Sequence, residues 1–215
     1  MNDVALLGLL QLADSALPVG SAPHSFGLET MAETGILTPE NIEPLLRDYL
    51  QEAGMLEAVF VRRAWGRKAL HGLNDELSAR KPARESRQAS LALGRRLAEL
   101  VNGWIGATVV DAGLHYSVAF GAACAILGVA EQPAVLAYLQ QSVTNMVSCG
   151  QRLMPLGQAA ATRIIWNLKG AIAQATRAAL NLAALDPDEE VMCFSPLLEL
   201  SSMRHGSLET RLFIS

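Results

Sequence analysis

Cysteine, aromatic residues and charged residues are all scarce in this chain of 215 residues. The three cysteines, Cys124, Cys149 and Cys193, are too few and too widely spaced for a disulfide framework or a zinc cluster. Their apolar surroundings favour buried thiols in a reducing cytosol over a redox or metal role. With 5% aromatic residues and a net charge of -4, the chain offers neither stacking platforms nor a basic surface for nucleic acid.

Signals for export or membrane insertion are also missing. The start of the chain carries Asp3 and lacks the basic region that opens a signal peptide. The longest apolar run, residues 116–130, is shorter than the roughly 20 residues that a membrane-spanning helix needs. We therefore expect a soluble, cytoplasmic protein.

The usual catalytic signatures are absent as well. The sequence contains no phosphate-binding loop of the type Gly-x-x-x-x-Gly-Lys-Ser/Thr, so the chain is not expected to be a P-loop GTPase. It also lacks the Gly-x-Gly-x-x-Gly, His-Glu-x-x-His and Gly-x-Ser-x-Gly patterns of dehydrogenases, zinc proteases and acyl-transfer enzymes. We expect no enzymatic activity.

The chain is instead rich in apolar residues that recur with a helical period. Hydrophobic residues make up 51% of the chain and charged residues 18%, which suggests that some apolar surface faces another subunit. Thr38-Pro39-Glu40 predicts a helix start, and an apolar face follows over residues 42–50. Further helices are predicted at residues 55–73, 86–101, 112–128, 133–150, 155–169 and 170–185.

Strand signals are nearly absent, so the prediction is an all-α, single-domain helical bundle over residues 1–215. Residues 14–24 are expected to be a short irregular segment, and residues 186–215 an extended irregular tail that docks a partner. Basic residues concentrate just before and within the helix predicted at residues 86–101. We interpret them as a solvated linker and helix face rather than as a docking patch. They are Arg80, Lys81, Arg84, Arg87, Arg95 and Arg96.

No two of the four histidines lie three or four residues apart, so no single helix presents a pair of metal ligands. His71 is expected at a surface or at the C-terminal end of a helix, and His115 as a hydrogen-bonded core histidine. His24 and His205 are weak metal candidates. For these two, a structural role and a contact with a partner remain equally open.

Two segments near the ends of the chain, residues 17–30 and 195–215, mix turn formers, apolar anchors and polar side chains. Loops of this composition on a rigid scaffold are typical of binding surfaces. The first segment contains the end of the motif LQLADSALPVGS (residues 10–21) and the motif HSFGLET (residues 24–30). The second segment contains PLLELSSMRH (residues 196–205) and RLF (residues 211–213).

Two further motifs lie between them, HYSVAFG at residues 115–121 and VTNMVSCGQRLMPLGQ at residues 143–158. All these motifs resemble motifs of the urease accessory proteins of the UreF family, and they follow one another in the order found in that family. The resemblance covers essentially the whole chain. It implies an all-α homodimer without a catalytic reaction or cofactor of its own. Such a protein acts as a chaperone that binds the accessory protein UreD/UreH and recruits and regulates the GTPase UreG, so that nickel is delivered to apo-urease.

The resemblance also implies roles for residues of both end segments. In the N-terminal segment, a surface for the dimer and the GTPase is expected at Gly20, Ser21, His24, Ser25, Phe26 and Glu29, although Ser25 and Glu29 are as well explained as helix caps. In the C-terminal segment, docking of UreD/UreH is expected at Pro196, Leu197, Leu198, Glu199, Met203, Arg204, His205, Arg211, Leu212 and Phe213. The chain departs from the family pattern at Pro23, Gly206, Glu209 and Ile214.

Two alternatives to a scaffold stay open. One is a GTPase-activating protein that supplies Glu29 or an arginine to the active site of UreG. The other is a direct nickel carrier that uses His24 or His205.

Overall fold

The computed structural model describes residues 1–20, 24–184 and 195–214, and Ser21, Pro23 and Cys193 lie outside these ranges. The described residues form α-helices and one short 3-10 helix, with no β-strand among them, which confirms the all-α prediction. The helices are α1 (Asp3–Leu12), α2 (Leu28–Glu33), α3 (Ile42–Gln51), α4 (Ala53–Ala64), α5 (His71–Ala79), α6 (Arg84–Ile105), α7 (Tyr116–Ile126), α8 (Glu131–Leu153), α9 (Gln158–Asn167), α10 (Lys169–Ala183) and α11 (Pro196–Arg204), followed by the 3-10 helix His205–Ser207.

Helices α4 and α7 form the centre of the molecule. Most residues of both helices are buried, so both are surrounded by other helices. They pack against each other, α7 also packs against α6, and α4 also packs against α8 and α10. Phe60 and Phe120, one from each central helix, are completely buried. The two end segments are joined outside this centre, where α11 packs against α2 and α6.

Glycines allow the central helices to approach each other closely. A Cβ atom on Gly121 of α7 would lie 2.2 Å from the carbonyl oxygen of Val61 in α4. A Cβ atom on Gly94 of α6 would lie 2.0 Å from the carbonyl oxygen of Leu114, just before α7. No side chain fits at such distances, so these two contacts require glycine.

Helix α3 begins later than the sequence predicted. The side chain of Asn41 accepts a hydrogen bond from the backbone N–H of Thr38 at 2.9 Å, and the carbonyl of Thr38 accepts from Asn41 and Ile42. Residues 38–41 are therefore a turn that precedes the helix, and Thr38 is not its N-cap. The apolar face predicted within residues 42–50 is correct, since Ile42, Leu46 and Leu50 are buried.

The predicted helix over residues 55–73 is wrong, because it is interrupted between α4 and α5. Gly66 has a φ of +71°, a left-handed conformation that ends a helix and that glycine adopts without strain. Helix α5 then occupies residues 71–79, directly before the basic residues predicted as a solvated linker and helix face. His71 consequently lies at the beginning of α5, exposed at the surface as one of the two predictions had it, and not at a helix C-terminus.

The expected irregular tail is also partly helical, because residues 196–204 form α11. Pro196 occupies the start of this helix, where its missing N–H costs nothing. Ser201 and Ser202 face inward and are buried. The irregular structure predicted for residues 14–24 is correct for residues 14–20, which form turns and bends.

Candidate partner-binding site

The two end segments lie against each other in the folded protein. Gly27, which precedes α2, has a φ of +90°, and a Cβ atom there would lie 2.8 Å from the carbonyl oxygen of Leu198 in α11. A glycine is therefore needed for both the backbone conformation and the close approach. Phe26, its neighbour, also has a positive φ of 52° and is only partly buried. The N-terminal and C-terminal segments, which are far apart in the sequence, thus meet at one place.

Glu29 connects these segments through its carboxylate. Its oxygen Oε1 accepts a hydrogen bond from the backbone N–H of Leu212 at 2.5 Å, and Oε2 accepts from the N–H of Phe213 at 3.3 Å. Nε2 of His205 lies 2.7 Å from the same Oε2. Glu29 is only 5% exposed, so these charge-assisted contacts are shielded from water. The carboxylate is therefore engaged inside the protein rather than presented to solvent.

The two histidines considered as metal candidates differ in their surroundings. His205 is 1% exposed, and its Nε2 is occupied by Glu29. His24 is half-buried next to the ring of Phe26, and burial lowers its pKa. Among the described residues, no group of three or more histidine, cysteine, aspartate or glutamate side chains is arranged to hold a metal ion.

Two other residues predicted as partner contacts are used within the chain. The carboxylate of Glu199 accepts a hydrogen bond from the backbone N–H of Ala83 at 2.9 Å, just before α6 begins. Phe213 is 5% exposed, and the guanidinium of Arg152 lies 4.3 Å from the centre of its ring. The first contact attaches α11 to the start of α6, and the second attaches the tail to α8. Both side chains are therefore used for contacts within the chain.

An exposed apolar stripe runs along the outer face of α11. Leu197, Leu200 and Met203 are 46%, 54% and 45% exposed, and their spacing of three residues places them on one side of the helix. The exposed Leu212 and Ile214 follow in the tail. We call these five residues the C-terminal apolar surface. Leu200 was not predicted as a partner contact, although it lies three residues from both Leu197 and Met203 and this helical spacing could have identified it.

Charged residues accompany the C-terminal apolar surface. Arg204 and Arg211, both predicted as contacts, are exposed, as are Pro196 and Gly206. Leu198 is intermediate and turns toward the bundle, where it lines a cavity of about 110 Å³. This pattern of apolar centre and charged neighbours is typical of protein interfaces.

The contact between α2 and α11 contains buried hydroxyl groups that lack a hydrogen bond. Ser25 and Ser202 are 0% and 2% exposed, and neither hydroxyl has a partner among the described residues. The same is true of Thr30 and Ser195. A buried hydroxyl group without a partner costs stability, which distinguishes these four positions from the apolar core. Ser25 does not project into solvent, whereas Gly20 lies in an open turn with a φ of +79°.

The cavity beneath α11 borders a buried ion pair that the sequence did not predict. Lys81 was expected in a solvated linker, but it is 9% exposed and pairs with Glu57 of α4. Burial alone would raise the pKa of Glu57, but the adjacent Lys81 ammonium outweighs that effect and holds this pKa below its ordinary value. Since the charge on Lys81 is already neutralised, it does not contribute to a basic docking patch.

His115 is a buried histidine next to this ion pair, as predicted. It is fully buried, and its Nε2 lies 2.8 Å from the hydroxyl of Ser78. Burial lowers its pKa to about 4, and the nearby positive charges of Lys81 and Arg87 act in the same direction. Cys124 and Cys149 are also buried, and burial raises the pKa of each thiol to about 12, so both remain unreactive thiols at neutral pH.

Fold and site together define the class of this protein: a helical bundle whose two end segments are joined by a buried carboxylate and carry an exposed apolar surface. No helix in the described part of the chain has the length and apolarity needed to cross a membrane. The model of the UreF family matches residues 36–169. The chain belongs to the UreF family.

The similarity to known proteins extends over the full chain. A protein of Nostoc sp. (strain PCC 7120) named urease accessory protein UreF is 36% identical, over 100% of this chain and 98% of its own length. Proteins with the same name from Paenarthrobacter aurescens and Geobacillus kaustophilus are each 33% identical, over 100% of both chains. The likeness therefore includes both end segments, which lie outside the residues matched by the family model.

Proposed function

We propose that this protein is a non-catalytic scaffold of urease maturation. In this proposal it binds the accessory protein UreD/UreH, recruits and regulates the GTPase UreG, and thereby assists the insertion of nickel into apo-urease. It acts in the cytoplasm, where the GTPase finds its nucleotide. Membership in the UreF family supports the role in urease maturation, and the C-terminal apolar surface is the observation that supports the docking of a partner.

The exposed residues indicate the chemistry of the surface that would dock there. The C-terminal apolar surface supplies aliphatic side chains, and the two arginines nearby, Arg204 and Arg211, are exposed. A complementary partner surface would have an apolar centre and carboxylates at its edge, which pair with guanidinium groups through two hydrogen bonds. We assign this partner surface to UreD/UreH.

A pull-down with purified UreD/UreH and UreG tests the docking assignment. We expect Leu200→Asp, Arg211→Ala and a deletion of residues 205–215 each to weaken capture of UreD/UreH, with Leu200→Asp reducing affinity at least tenfold because it places a charge in an apolar contact. Leu136→Asp is the matched control, because Leu136 is 41% exposed on α8. Undiminished capture by all three variants contradicts the assignment.

A second surface is suited to pairing with another copy of this chain. Val4, Leu7 and Leu10 of α1 are 77%, 65% and 60% exposed, and they form an apolar face that carries one charged residue, the exposed Asp3 at its N-terminal end. In a two-fold dimer, a surface meets itself. In an antiparallel pairing of α1 with its copy, the two Asp3 side chains lie at opposite ends of the contact and do not repel each other, whereas the arginines near α11 would face each other. We therefore include in the proposal a homodimer formed through α1.

The contacts of Glu29 and His205 do not favour the two alternatives that would use these residues. A direct contribution of Glu29 to the active site of UreG would require its release from three internal contacts. A nickel-carrier role for His205 would require the same release. GTP turnover by UreG with and without this protein tests the first alternative, and the stoichiometry of nickel bound by the isolated protein tests the second.

A further inference from the structure

Glu29 holds two parts of the C-terminal segment at once. One contact is with His205, which directly follows α11, and the other two are with the backbone N–H groups of Leu212 and Phe213, which directly follow Arg211. The carboxylate is therefore the common partner of the end of α11 and the end of the tail.

A carboxylate is the group best suited to this task. It has two oxygen atoms that only accept hydrogen bonds, and here both oxygens accept from groups of the tail. The amide of glutamine has nearly the same shape but only one accepting atom, and its NH2 group would face a donor. At 5% exposure, water cannot easily replace the lost contacts.

The residues around this carboxylate differ in exposure. His205 and Phe213 are buried, whereas Arg211 and Leu212 are exposed although Leu212 donates its backbone N–H to Glu29. The tail is thus fixed through its backbone and through buried side chains, and the side chains of Arg211 and Leu212 remain accessible. That division is what a docking surface needs, because preorganised groups lose less entropy when a partner binds.

We propose that Glu29 is a positioning residue for partner binding: its buried carboxylate fixes the tail at Leu212 and Phe213 and so places Arg211 relative to α11. Glu29 does not touch the partner in this proposal, which rests on the docking function proposed above. Its effect on binding passes through the tail.

Hydrogen exchange of the full chain without any partner tests the structural half of the proposal. In Glu29→Gln, we expect the amides of Leu212 and Phe213 to exchange about tenfold to a hundredfold faster than in the original protein, since charge-assisted hydrogen bonds are lost. Glu33→Gln is the matched control, because it removes the same charge from an exposed position of the same helix. Unchanged exchange of both tail amides in Glu29→Gln overturns the proposal.

The same measurement shows whether the variant is folded. Amides of the buried helix α7, such as that of Val118, report on global unfolding, and we expect their exchange to stay within about threefold of the original protein. If they too become fast, Glu29→Asp provides a second variant, because it keeps the charge but shortens the side chain by one methylene group and so withdraws the carboxylate from the N–H groups of Leu212 and Phe213. Faster exchange of Leu212 and Phe213 in that variant supports the proposal, and unchanged exchange overturns it.

A double-mutant cycle with purified UreD/UreH tests the functional half. We expect Glu29→Gln and Arg211→Ala each to weaken binding by tenfold or more, and the double variant to be little weaker than Arg211→Ala alone, because both changes remove the same positioned guanidinium. Effects that multiply in the double variant show that Glu29 acts separately, which overturns the proposal. If the original protein does not bind UreD/UreH, the docking function fails, while hydrogen exchange still decides whether Glu29 fixes the tail.

Discussion

At the scale of single residues, Gly27 is the position where conformation and packing both exclude a side chain. Its φ of +90° is unfavourable for other residues, and α11 lies close on the side where a Cβ atom would point. Gly35 has a similar φ of +71°, but nothing lies within 4 Å of its added Cβ. The two glycines therefore separate the cost of conformation from the cost of a clash.

We expect Gly27→Ala to lower the free energy of unfolding by about 2 to 4 kcal/mol, since it adds overpacking to backbone strain. Gly35→Ala should cost only about 1 kcal/mol. Urea denaturation monitored by circular dichroism measures both. Equal losses for the two variants would show that α11 adapts to the added methyl group.

His115 is the residue whose burial makes the stability of the folded protein depend most clearly on pH. Its pKa is about 4 in the folded protein and 6.5 for an ordinary histidine, so the unfolded chain binds a proton more readily. The stability that it contributes is complete above pH 6.5 and is lost as the pH falls toward 4. Glu57 adds to the loss at lower pH, because its pKa is also lowered in the folded state.

We expect the free energy of unfolding to fall by about 2 to 3 kcal/mol between pH 6.5 and pH 4 on account of His115. His115→Gln should be less stable at neutral pH and should show a weaker dependence on pH in this range. His71→Gln, at a side chain that is 81% exposed, is the control and should keep the original dependence. Urea denaturation at a series of pH values provides the comparison, and an unchanged slope in His115→Gln contradicts the assignment.

At the scale of the elements, α6 contains two glycines with opposite roles. Gly94 lies where the chain before α7 approaches α6, and a Cβ atom there would be 2.0 Å from the carbonyl oxygen of Leu114. Gly103 lies near the exposed end of the same helix, with nothing within 4 Å of its added Cβ. Only the first glycine is required by packing, and the second merely lowers helix stability.

We expect Gly94→Ala to destabilise the protein by about 3 kcal/mol or more, because α6 and the start of α7 must move apart. Gly103→Ala should stabilise it by roughly 0.5 to 1 kcal/mol, the difference between alanine and glycine within a helix. Thermal denaturation compares the two variants directly. A stabilising effect of Gly94→Ala would show that the close approach of α6 and α7 is not needed.

At the scale of the whole molecule, two exposed apolar surfaces belong to different elements and differ in charge. The face of α1 carries one charged residue, Asp3 at its N-terminal end, whereas the C-terminal apolar surface is accompanied by Arg204 and Arg211. Surfaces of this kind are usually covered by other proteins. Their different charge is the reason why we assign self-association to α1 and a separate partner to α11.

We expect Leu7→Asp to convert the homodimer to a monomer, since it places two carboxylates near each other across the two-fold axis. Leu200→Asp should leave the dimer intact and weaken binding of UreD/UreH. Sedimentation equilibrium measures the first effect in both variants. A dimer that persists in Leu7→Asp, or a monomer in Leu200→Asp, contradicts the assignment of α1.

The sequence by itself determined the all-α class and the family. Helical periodicity is a local property, because each turn of a helix depends on residues three and four positions apart. The motifs of the two end segments are local as well, so their resemblance to UreF proteins could be recognised before any contact was known. The matches of the full chain to relatives at 30–36% identity agree with that recognition.

Only the tertiary structure decided how these segments are used. The contact of Glu29 with Leu212 joins residues 183 positions apart, and no local pattern encodes that pairing. The burial of Lys81 likewise depends on which helices surround it, and the sequence alone favoured a solvated linker. Side-chain burial and long-range hydrogen bonds are set by which surfaces meet, so the division between buried anchors and exposed contacts in the C-terminal segment emerged only from the packing of α11 against α2 and α6.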